Sequence, residues 1–223
     1  MVGSHSVRLL LTGLLFAGCG SLVAISPLGR LSGAHLNPAV TLAFGVLGRV
    51  SRHDLVGYIA AQLVGALGGA LAFHLLWSSE AVSVGGGVTH PTVSHAGAIC
   101  LEAAMTALVV MTILFFVSRA ELARWTPLAL WPLIATFVWQ VADYTGTSLN
   151  PARSAGPAIA FGDLRDLWLY FLAPPLGALT VALLWSRRHP SKHPKTAKLF
   201  HDPRYPSSLM SELPAMAPDD PMP

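Results

Sequence analysis

The chain has 223 residues, of which 53% are hydrophobic and only 11% are charged, whereas a soluble domain is about 25% charged. Its two cysteines, Cys19 and Cys100, are too few for a disulfide scaffold, and this much apolar sequence excludes intrinsic disorder for most of the chain. The composition therefore predicts an integral membrane protein, in which one span takes about 20 apolar residues.

Five apolar stretches are long enough to cross a bilayer. In chain order they cover residues 8–29, 54–77, 97–118, 127–144 and 166–186. The second stretch contains Gly65, Gly68 and Gly69, which predict tight packing inside a bundle because small residues let membrane helices approach closely.

Two further apolar segments, 37–46 and 150–161, are too short to span. Such segments must be re-entrant and shielded by protein, because every backbone polar group in lipid needs a partner. We therefore expect an all-α membrane protein with five spans and two re-entrant half-helices.

Residues 187–223 differ in composition from the rest of the chain. They contain all three lysines and eight of the seventeen prolines, and such a stretch cannot bury a core. The sequence thus divides into a membrane domain over 1–186 and a polar, Pro-rich tail over 187–223.

The arginines that follow or precede the spans can mostly lie on one side of the membrane. Lys and Arg are enriched in cytoplasmic loops, and the loop on the other side, 78–96, contains neither. We expect a multi-pass protein of the cell membrane with its tail in the cytoplasm. The arginines of the cytoplasmic side are Arg49, Arg52, Arg119, Arg124, Arg187 and Arg188.

The chain contains an internal repeat. The segment SGAHLNPAVTLAFG at 32–45 matches TGTSLNPARSAGPA at 145–158. Three predicted spans separate the copies, so the two enter the membrane from opposite faces. This is an inverted-topology repeat, whose site lies near the membrane midplane. The first span also imitates a lipoprotein signal peptide ending at Cys19, but the repeat favours a retained span.

The repeated motif resembles that of the aquaporin and aquaglyceroporin family, the major intrinsic proteins (MIP). The match is carried by two Asn-Pro-Ala signatures, Asn37-Pro38-Ala39 and Asn150-Pro151-Ala152. The resemblance implies an aquaporin-like channel domain over 1–186, passive passage of water, and a homotetramer with one pore per subunit. The family has six spans, and this chain resembles it without the first. A truncated or misassigned start and a genuine five-span variant both stay open.

The Asn-Pro-Ala signature has a physical reading. Proline suits the first position of a helix, where no N–H is needed, and asparagine suits the cap before it. Two half-helices that meet through such caps aim their positive ends at one point. The amides of Asn37 and Asn150 can then donate to one passing oxygen, which interrupts a proton-conducting chain while the helix ends repel cations. The alternative is that Asn37 and Asn150 are ordinary helix caps with no role in a pore.

Arg153 lies in a segment that is almost free of charge, and a charge inside the membrane is functional by default. In the family this arginine lines the narrowest constriction. The resemblance therefore assigns Arg153 to the selectivity constriction, as donor to the solute and barrier to cations. Thr147, in the same ungapped motif, is assigned there too. An arginine that reaches out to the membrane surface is the alternative.

Counting back from the motif adds Ala17 and Val138 to the constriction. Water-selective members usually have an aromatic residue and a histidine at these places. Smaller residues imply a wider constriction, and hence solutes such as glycerol, hydrogen peroxide, ammonia or uncharged metalloid hydroxides. A slip of one residue substitutes Phe16 or Trp139 and reverses this inference.

Other positions favour a water channel. Ser154 and Ala158 stand where glycerol-conducting members usually have an Asp and a basic residue, and the pair Tyr170-Phe171 resembles the water-selective pattern. The preferred solute therefore stays open between water and small uncharged molecules.

Glu102 is the only acid in the interior of a predicted span. It matches a family glutamate that supports a re-entrant loop by accepting backbone N–H bonds, and a buried carboxylate needs such partners. Its counterpart for the first loop would lie in the absent span, so we expect that loop to have less support. His35 matches a family position in this first loop, and a packing role is its alternative.

The sequence has no nucleophile–base constellation, phosphate loop, dinucleotide fingerprint or zinc-like spacing. We therefore expect no enzyme activity, no cofactor, no metal and no nucleic-acid partner. The favoured function is a passive channel for water, with small uncharged solutes as further candidates. The alternatives are a secondary transporter with a midplane site at its broken helices, and a non-conducting or truncated family member.

Overall fold

The computed structural model describes residues 4–189 and 197–199. In these residues the chain is helical, with one 3-10 turn at Gly85–Gly87 and no strand. The helices are α1 His5–Ile25, α2 Pro27–Ser32, α3 Pro38–Val46, α4 Arg52–Leu76, α5 Ser78–Ser83, α6 His95–Val117, α7 Ala120–Ala123, α8 Thr126–Thr145, α9 Pro151–Phe161 and α10 Leu167–Arg188.

The five long helices fall on the five predicted spans, and α3 and α9 fall on the two predicted re-entrant segments. Within the described residues, α1, α4, α6 and α10 are long and apolar enough to cross a membrane. Helix α8 has 20 residues but is less apolar, because Pro127, Pro132 and Gln140 interrupt it. The all-α architecture with two half-helices is therefore confirmed.

The first helix ends earlier than predicted. The expected span 8–29 stops at Ile25, because Pro27 has no N–H for the helix ladder and disfavours helical geometry in the residue before it. Ser26 has extended geometry (φ −67°, ψ 161°) and its side chain accepts from the N–H of Gly29. The chain therefore turns through α2 before it enters the first re-entrant loop.

The long helices pack in pairs that follow the repeat. Helix α1 lies along α8 and α6 lies along α10, while the half-helices α9 and α3 pack on α4 and α10. Glycines set two of these spacings: a Cβ on Gly13 would lie 2.6 Å from the carbonyl oxygen of Ala135, and one on Gly156 would lie 2.4 Å from that of Ala66. Neither contact is sterically allowed, so only glycine fits.

Helix α4 is mostly exposed, and the predicted tight packing of Gly65, Gly68 and Gly69 is wrong. Among the described residues, nothing lies within 4 Å of a Cβ built on any of the three. Small residues permit another helix to approach closely, but they do not by themselves bring another helix to this face. The main partner of α4 is α9, which contacts the side of the helix that carries Ala66.

The loops that precede α3 and α9 have the same backbone conformation. Each begins at a left-handed glycine, Gly33 or Gly146, where a side chain would be strained. Two more residues in each loop have positive φ: Ala34 (52°) and Leu36 (52°) in the first, Thr147 (44°) and Leu149 (58°) in the second. Such conformations cost about 1–3 kcal/mol each and concentrate at functional sites. The repeat seen in the sequence thus extends to the strained dihedral angles.

Candidate functional site

The two Asn-Pro-Ala signatures cap the half-helices. Asn37 Oδ1 accepts from the N–H of Ala39 at 2.8 Å, and Asn150 Oδ1 accepts from the N–H groups of Ala152 and Arg153 at 3.0 and 3.4 Å. Pro38 and Pro151 occupy the first helical position in α3 and α9.

The same asparagines join the two repeats. Asn37 Nδ2 donates to the carbonyl of Leu149 at 2.8 Å, and Asn150 Nδ2 donates to the carbonyl of Leu36 at 2.8 Å. A carboxamide nitrogen has two hydrogens, and the second one on each asparagine has no acceptor among the described residues. The arrangement thus offers two N–H donors where the half-helices meet.

A cavity of about 1330 Å³ passes this meeting point. Asn37, Asn150 and Arg153 all line it, and so does Ala152. The rest of its wall is mostly apolar and comes from α1, α4, α6 and α8, including Ala17, Phe16, Ala61, Gly65, Ile113 and Leu130. The cavity therefore brings the polar groups of both repeats to one mostly apolar passage.

Arg153 is held at the end of the cavity that adjoins the loop after α5. Its Nη1 donates to the carbonyl of Gly87 at 2.8 Å, while its Nε is buried with no partner among the described residues. A guanidinium has five N–H donors in a rigid fork. Since protein groups use only part of this set, Arg153 can donate to a solute in the cavity.

Glu102 supports the second re-entrant loop from inside α6. Its Oε1 accepts from the N–H of Ser148 and the hydroxyl of Thr145 at 2.8 and 2.7 Å, and its Oε2 accepts from the N–H of Leu149 at 2.8 Å. The carboxylate is completely buried. It therefore satisfies two backbone donors in a loop that cannot form helical bonds.

The first re-entrant loop is supported differently. No carboxylate of the described residues contacts it. Instead, Tyr58 donates from its hydroxyl to the carbonyl of Ser32 at 2.7 Å. Gln62 Nε2 donates to Thr41 Oγ1 at 3.0 Å, and that hydroxyl donates to the carbonyl of Asn37. Sequence reasoning missed these three side chains, although polar residues within apolar segments were the available signal.

His35 has a packed ring and two polar contacts. The ring stacks on Phe44 with centroids 4.8 Å apart, and Nδ1 lies 3.2 Å from Thr41 Oγ1. Its Nε2 donates to the carbonyl of Ala197 at 2.6 Å. Only 187–189 and 197–199 of the predicted tail are described, and the last three are buried, which its polar composition did not lead us to expect.

The predicted constriction residues separate into two groups. Ala17 lines the cavity with Arg153, and so does its neighbour Phe16. Val138 and Thr147 are buried outside the lining. Val138 lies beside Gly13, where α8 meets α1, and Thr147 donates from its hydroxyl to the carbonyl of Phe137 at 3.2 Å.

A hydroxyl network supports α9 from the side. Ser154 Oγ lies 2.6 Å from Ser148 Oγ and 2.7 Å from Thr89 Oγ1. All three side chains are buried, so their hydrogen bonds tie the loop after α5 to the second half-helix. From sequence, Ser154 was predicted only to mark the solute preference, and nothing in the spacing indicated Thr89.

An ionic cluster joins the loops near the Arg153 end. His90 contacts Asp163 and Asp166 at 3.1 and 2.9 Å, and His95 contacts Asp166 at 3.2 Å. Arg165 donates to Asp163 at 2.6 Å, which holds the pKa of that carboxyl well below its usual range. These residues do not line the cavity, so the cluster fastens the loops around it.

The fold has a solved counterpart. An aquaglyceroporin from Plasmodium falciparum superposes with a TM-score of 0.65 over 84% of each chain, at 22% sequence identity. The Major intrinsic protein family matches residues 4–185. The chain therefore belongs to the major intrinsic protein family. This is a family of aquaporin channels, which are not enzymes.

Two relatives with different names are similar to this chain. The glycerol uptake facilitator protein-like 6 of Lactiplantibacillus plantarum is 37% identical over 76% of this chain and 81% of its own length. The probable aquaporin NIP7-1 of Arabidopsis thaliana is 32% identical over 76% of this chain. The chain spans only 61% of the length of that aquaporin.

Proposed function

We propose that the chain is a passive membrane channel for water and small uncharged solutes. The observation that carries the proposal is the pair of asparagines, 113 residues apart in sequence, whose amides meet at one point of the cavity. Each amide is fixed by its own helix cap and by the loop of the other repeat.

The geometry supports passage that is selective through the fixed positions of hydrogen-bond donors and partial charges alone. A water or hydroxyl oxygen that passes Asn37 and Asn150 accepts from the free amide hydrogens. Its own hydrogens then point away along the passage, so a continuous chain of proton donors is interrupted there. The N-termini of α3 and α9 carry partial positive charge at the same point, which opposes cations.

Arg153 is proposed to set selectivity at the second polar point of the cavity. Its guanidinium supplies donors to a neutral solute and a full positive charge against cations. Ala17 faces the same cavity, whereas we propose that Val138 and Thr147 act by packing behind the wall. The solute class is drawn from relatives named as aquaporins and as a glycerol uptake facilitator.

Water flux in vesicles tests the proposal. The purified chain, reconstituted and exposed to an osmotic shock with an impermeant solute, should shrink vesicles faster than protein-free lipid does. Repeating the shock with glycerol separates water from larger solutes. Flux that saturates and follows an ion gradient would instead indicate a secondary transporter.

The Arg153→Ala variant tests the filter. Removing the guanidinium widens the passage and removes its charge, so the ratio of glycerol to water permeability should rise. Arg8→Ala is the matched control, since Arg8 is exposed near the start of α1 and does not line the cavity. An unchanged ratio for Arg153→Ala would contradict the role given to this residue.

A further inference from the structure

Residues 197–199, called here the tail segment, are buried against the first repeat. Ala197, Lys198 and Leu199 are 2%, 1% and 7% exposed. Ala197 and Leu199 pack within the main hydrophobic core. Lysine is almost never fully buried without specific contacts, so this burial identifies a defined seat.

The seat is formed by the first re-entrant loop. His35 Nε2 donates to the carbonyl of Ala197 at 2.6 Å, and the N–H of Leu199 donates to the carbonyl of Gly33 at 3.0 Å. Residues 197 and 199 of the tail segment thus bind residues 35 and 33 of the loop, respectively. The loop leads directly to Asn37, so the segment is bound just before the meeting point of the half-helices.

The position of Leu199 matters for passage. Its side chain lines the same cavity as Asn37, Asn150 and Arg153. A file of water needs hydrogen-bonding groups along its wall, and the tail segment takes up one such group, the ring N–H of His35, which lines the cavity. An apolar side chain stands beside it instead.

The seat does not depend on the tail segment for its shape. His35 is held by its stack on Phe44 and by Thr41. Gly33 is fixed as the left-handed cap of α2, with its N–H donating to the carbonyl of Gly29 at 2.8 Å. When the tail segment leaves, the ring N–H of His35 therefore stays in position for water, because the ring lines the cavity.

We propose that the tail segment is an autoinhibitory plug that closes one end of the cavity. The plug rests on the proposed channel function. Its contacts include two hydrogen bonds of its backbone and the packing of Ala197 and Leu199, and non-covalent contacts of this kind can break and re-form. The chain therefore exists as an equilibrium between closed and open channels, set by the affinity of residues 197–199 for loop 33–36.

Flux measurements test the closure. Leu199→Pro removes the N–H that binds the Gly33 carbonyl, and Leu199→Asp places a charge in the apolar seat. Each should raise the water permeability per reconstituted channel by about fivefold, since loss of one hydrogen bond shifts the equilibrium toward the open state. The matched control is Leu164→Asp, at an exposed loop position, which should conduct like the wild type.

Thiol labelling tests the seat without any flux. In a background with Cys19→Ala and Cys100→Ala, the full-length Leu199→Cys variant in detergent should react with a maleimide about tenfold more slowly than Leu164→Cys, because a buried thiol reacts only during local opening. Adding Gly33→Pro, which removes the α2 cap, should release the tail segment and equalise the two rates.

The outcomes separate the two proposals. Equal labelling rates for Leu199→Cys and Leu164→Cys overturn the seat. A protected thiol with equal water flux in the wild type and both Leu199 variants overturns the closure and leaves the channel intact. No water flux in the wild type and in every variant contradicts the proposed function. Protection together with raised flux in both variants supports the plug.

Discussion

Glu102 satisfies the backbone N–H groups of Ser148 and Leu149 in the second re-entrant loop. A carboxylate suits this place because it accepts at two oxygens and has no hydrogen to donate. Three donors converge on it, from Thr145, Ser148 and Leu149. One side chain on α6 therefore holds the loop in its strained conformation and keeps Asn150 in register.

Glu102→Gln should destabilise the protein. The amide replaces one acceptor oxygen by a donor that faces another N–H, so about 2 kcal/mol of stability is lost, the scale of a buried hydrogen bond to a charged group. Thermal unfolding in detergent measures the loss. Glu121→Gln, at an exposed acid, is the control, and an unchanged transition for Glu102→Gln would contradict the support role.

At the residue scale, the sequence allowed a prediction where a motif carries the chemistry. Asn37, Asn150 and Arg153 stand out because short repeated signatures and an isolated charge are visible in one dimension. Tyr58 and Thr89 were missed because their role depends on which helix faces which loop. The lining could not be assigned either, since whether Ala17 or Val138 reaches the cavity depends on the rotation of each helix.

At the scale of elements, the contact between α9 and α4 depends on Gly156. The two helices approach until a Cβ on Gly156 would lie 2.4 Å from the backbone oxygen of Ala66. This closeness places Arg153 and Asn150 against the wall formed by α4. The sequence shows a glycine in the repeated motif, but the partner atom is visible only in three dimensions.

Gly156→Ala should destabilise the fold by about 2 kcal/mol, the scale of overpacking at a fixed backbone contact. It should also reduce water flux, because α9 moves away from α4. Gly68→Ala is the matched control: no described atom crowds that position, it does not line the cavity, and alanine is about 1 kcal/mol better than glycine within a helix. Unfolding temperatures of the two variants should move in opposite directions, and equal shifts would contradict the packing argument.

At the scale of the whole molecule, the distribution of arginine gives an orientation. The ends of α6 and α10 and the start of α4 carry arginines at one face, whereas residues 78–96 carry no Lys or Arg. By the positive-inside rule we expect the arginine-rich face to lie in the cytoplasm. The inverted repeat and the number of long helices followed from the sequence pattern, but the set of helices that line the cavity did not.

Labelling of intact cells tests the orientation. With Cys19→Ala and Cys100→Ala as background, an impermeant maleimide should modify Leu164→Cys from outside, because its loop lies opposite the arginine-rich face. Glu121→Cys, at an exposed position just after α6, should react only after permeabilisation. The reverse pattern would invert the proposed topology.

Assembly is a second prediction for the whole molecule. The resemblance implies four copies, and apolar side chains on α1 and α4 outside the cavity are exposed, including Leu15, Val64 and Leu75. Native mass spectrometry in detergent should therefore give a species of four chains. A monomer alone under conditions that preserve helicity would contradict the tetramer.

The two re-entrant loops share their dihedral angles but not their bracing, and this difference has a dynamic consequence. Loop 146–149 is fastened by a buried carboxylate, whereas loop 33–36 relies on neutral hydroxyl and amide contacts. Amide hydrogen exchange should therefore be slower at Ser148 and Leu149 than at His35 and Leu36, because opening free energy follows local bonding. The repeat would then have a stiff half that holds Arg153 and a compliant half able to admit and release a peptide segment.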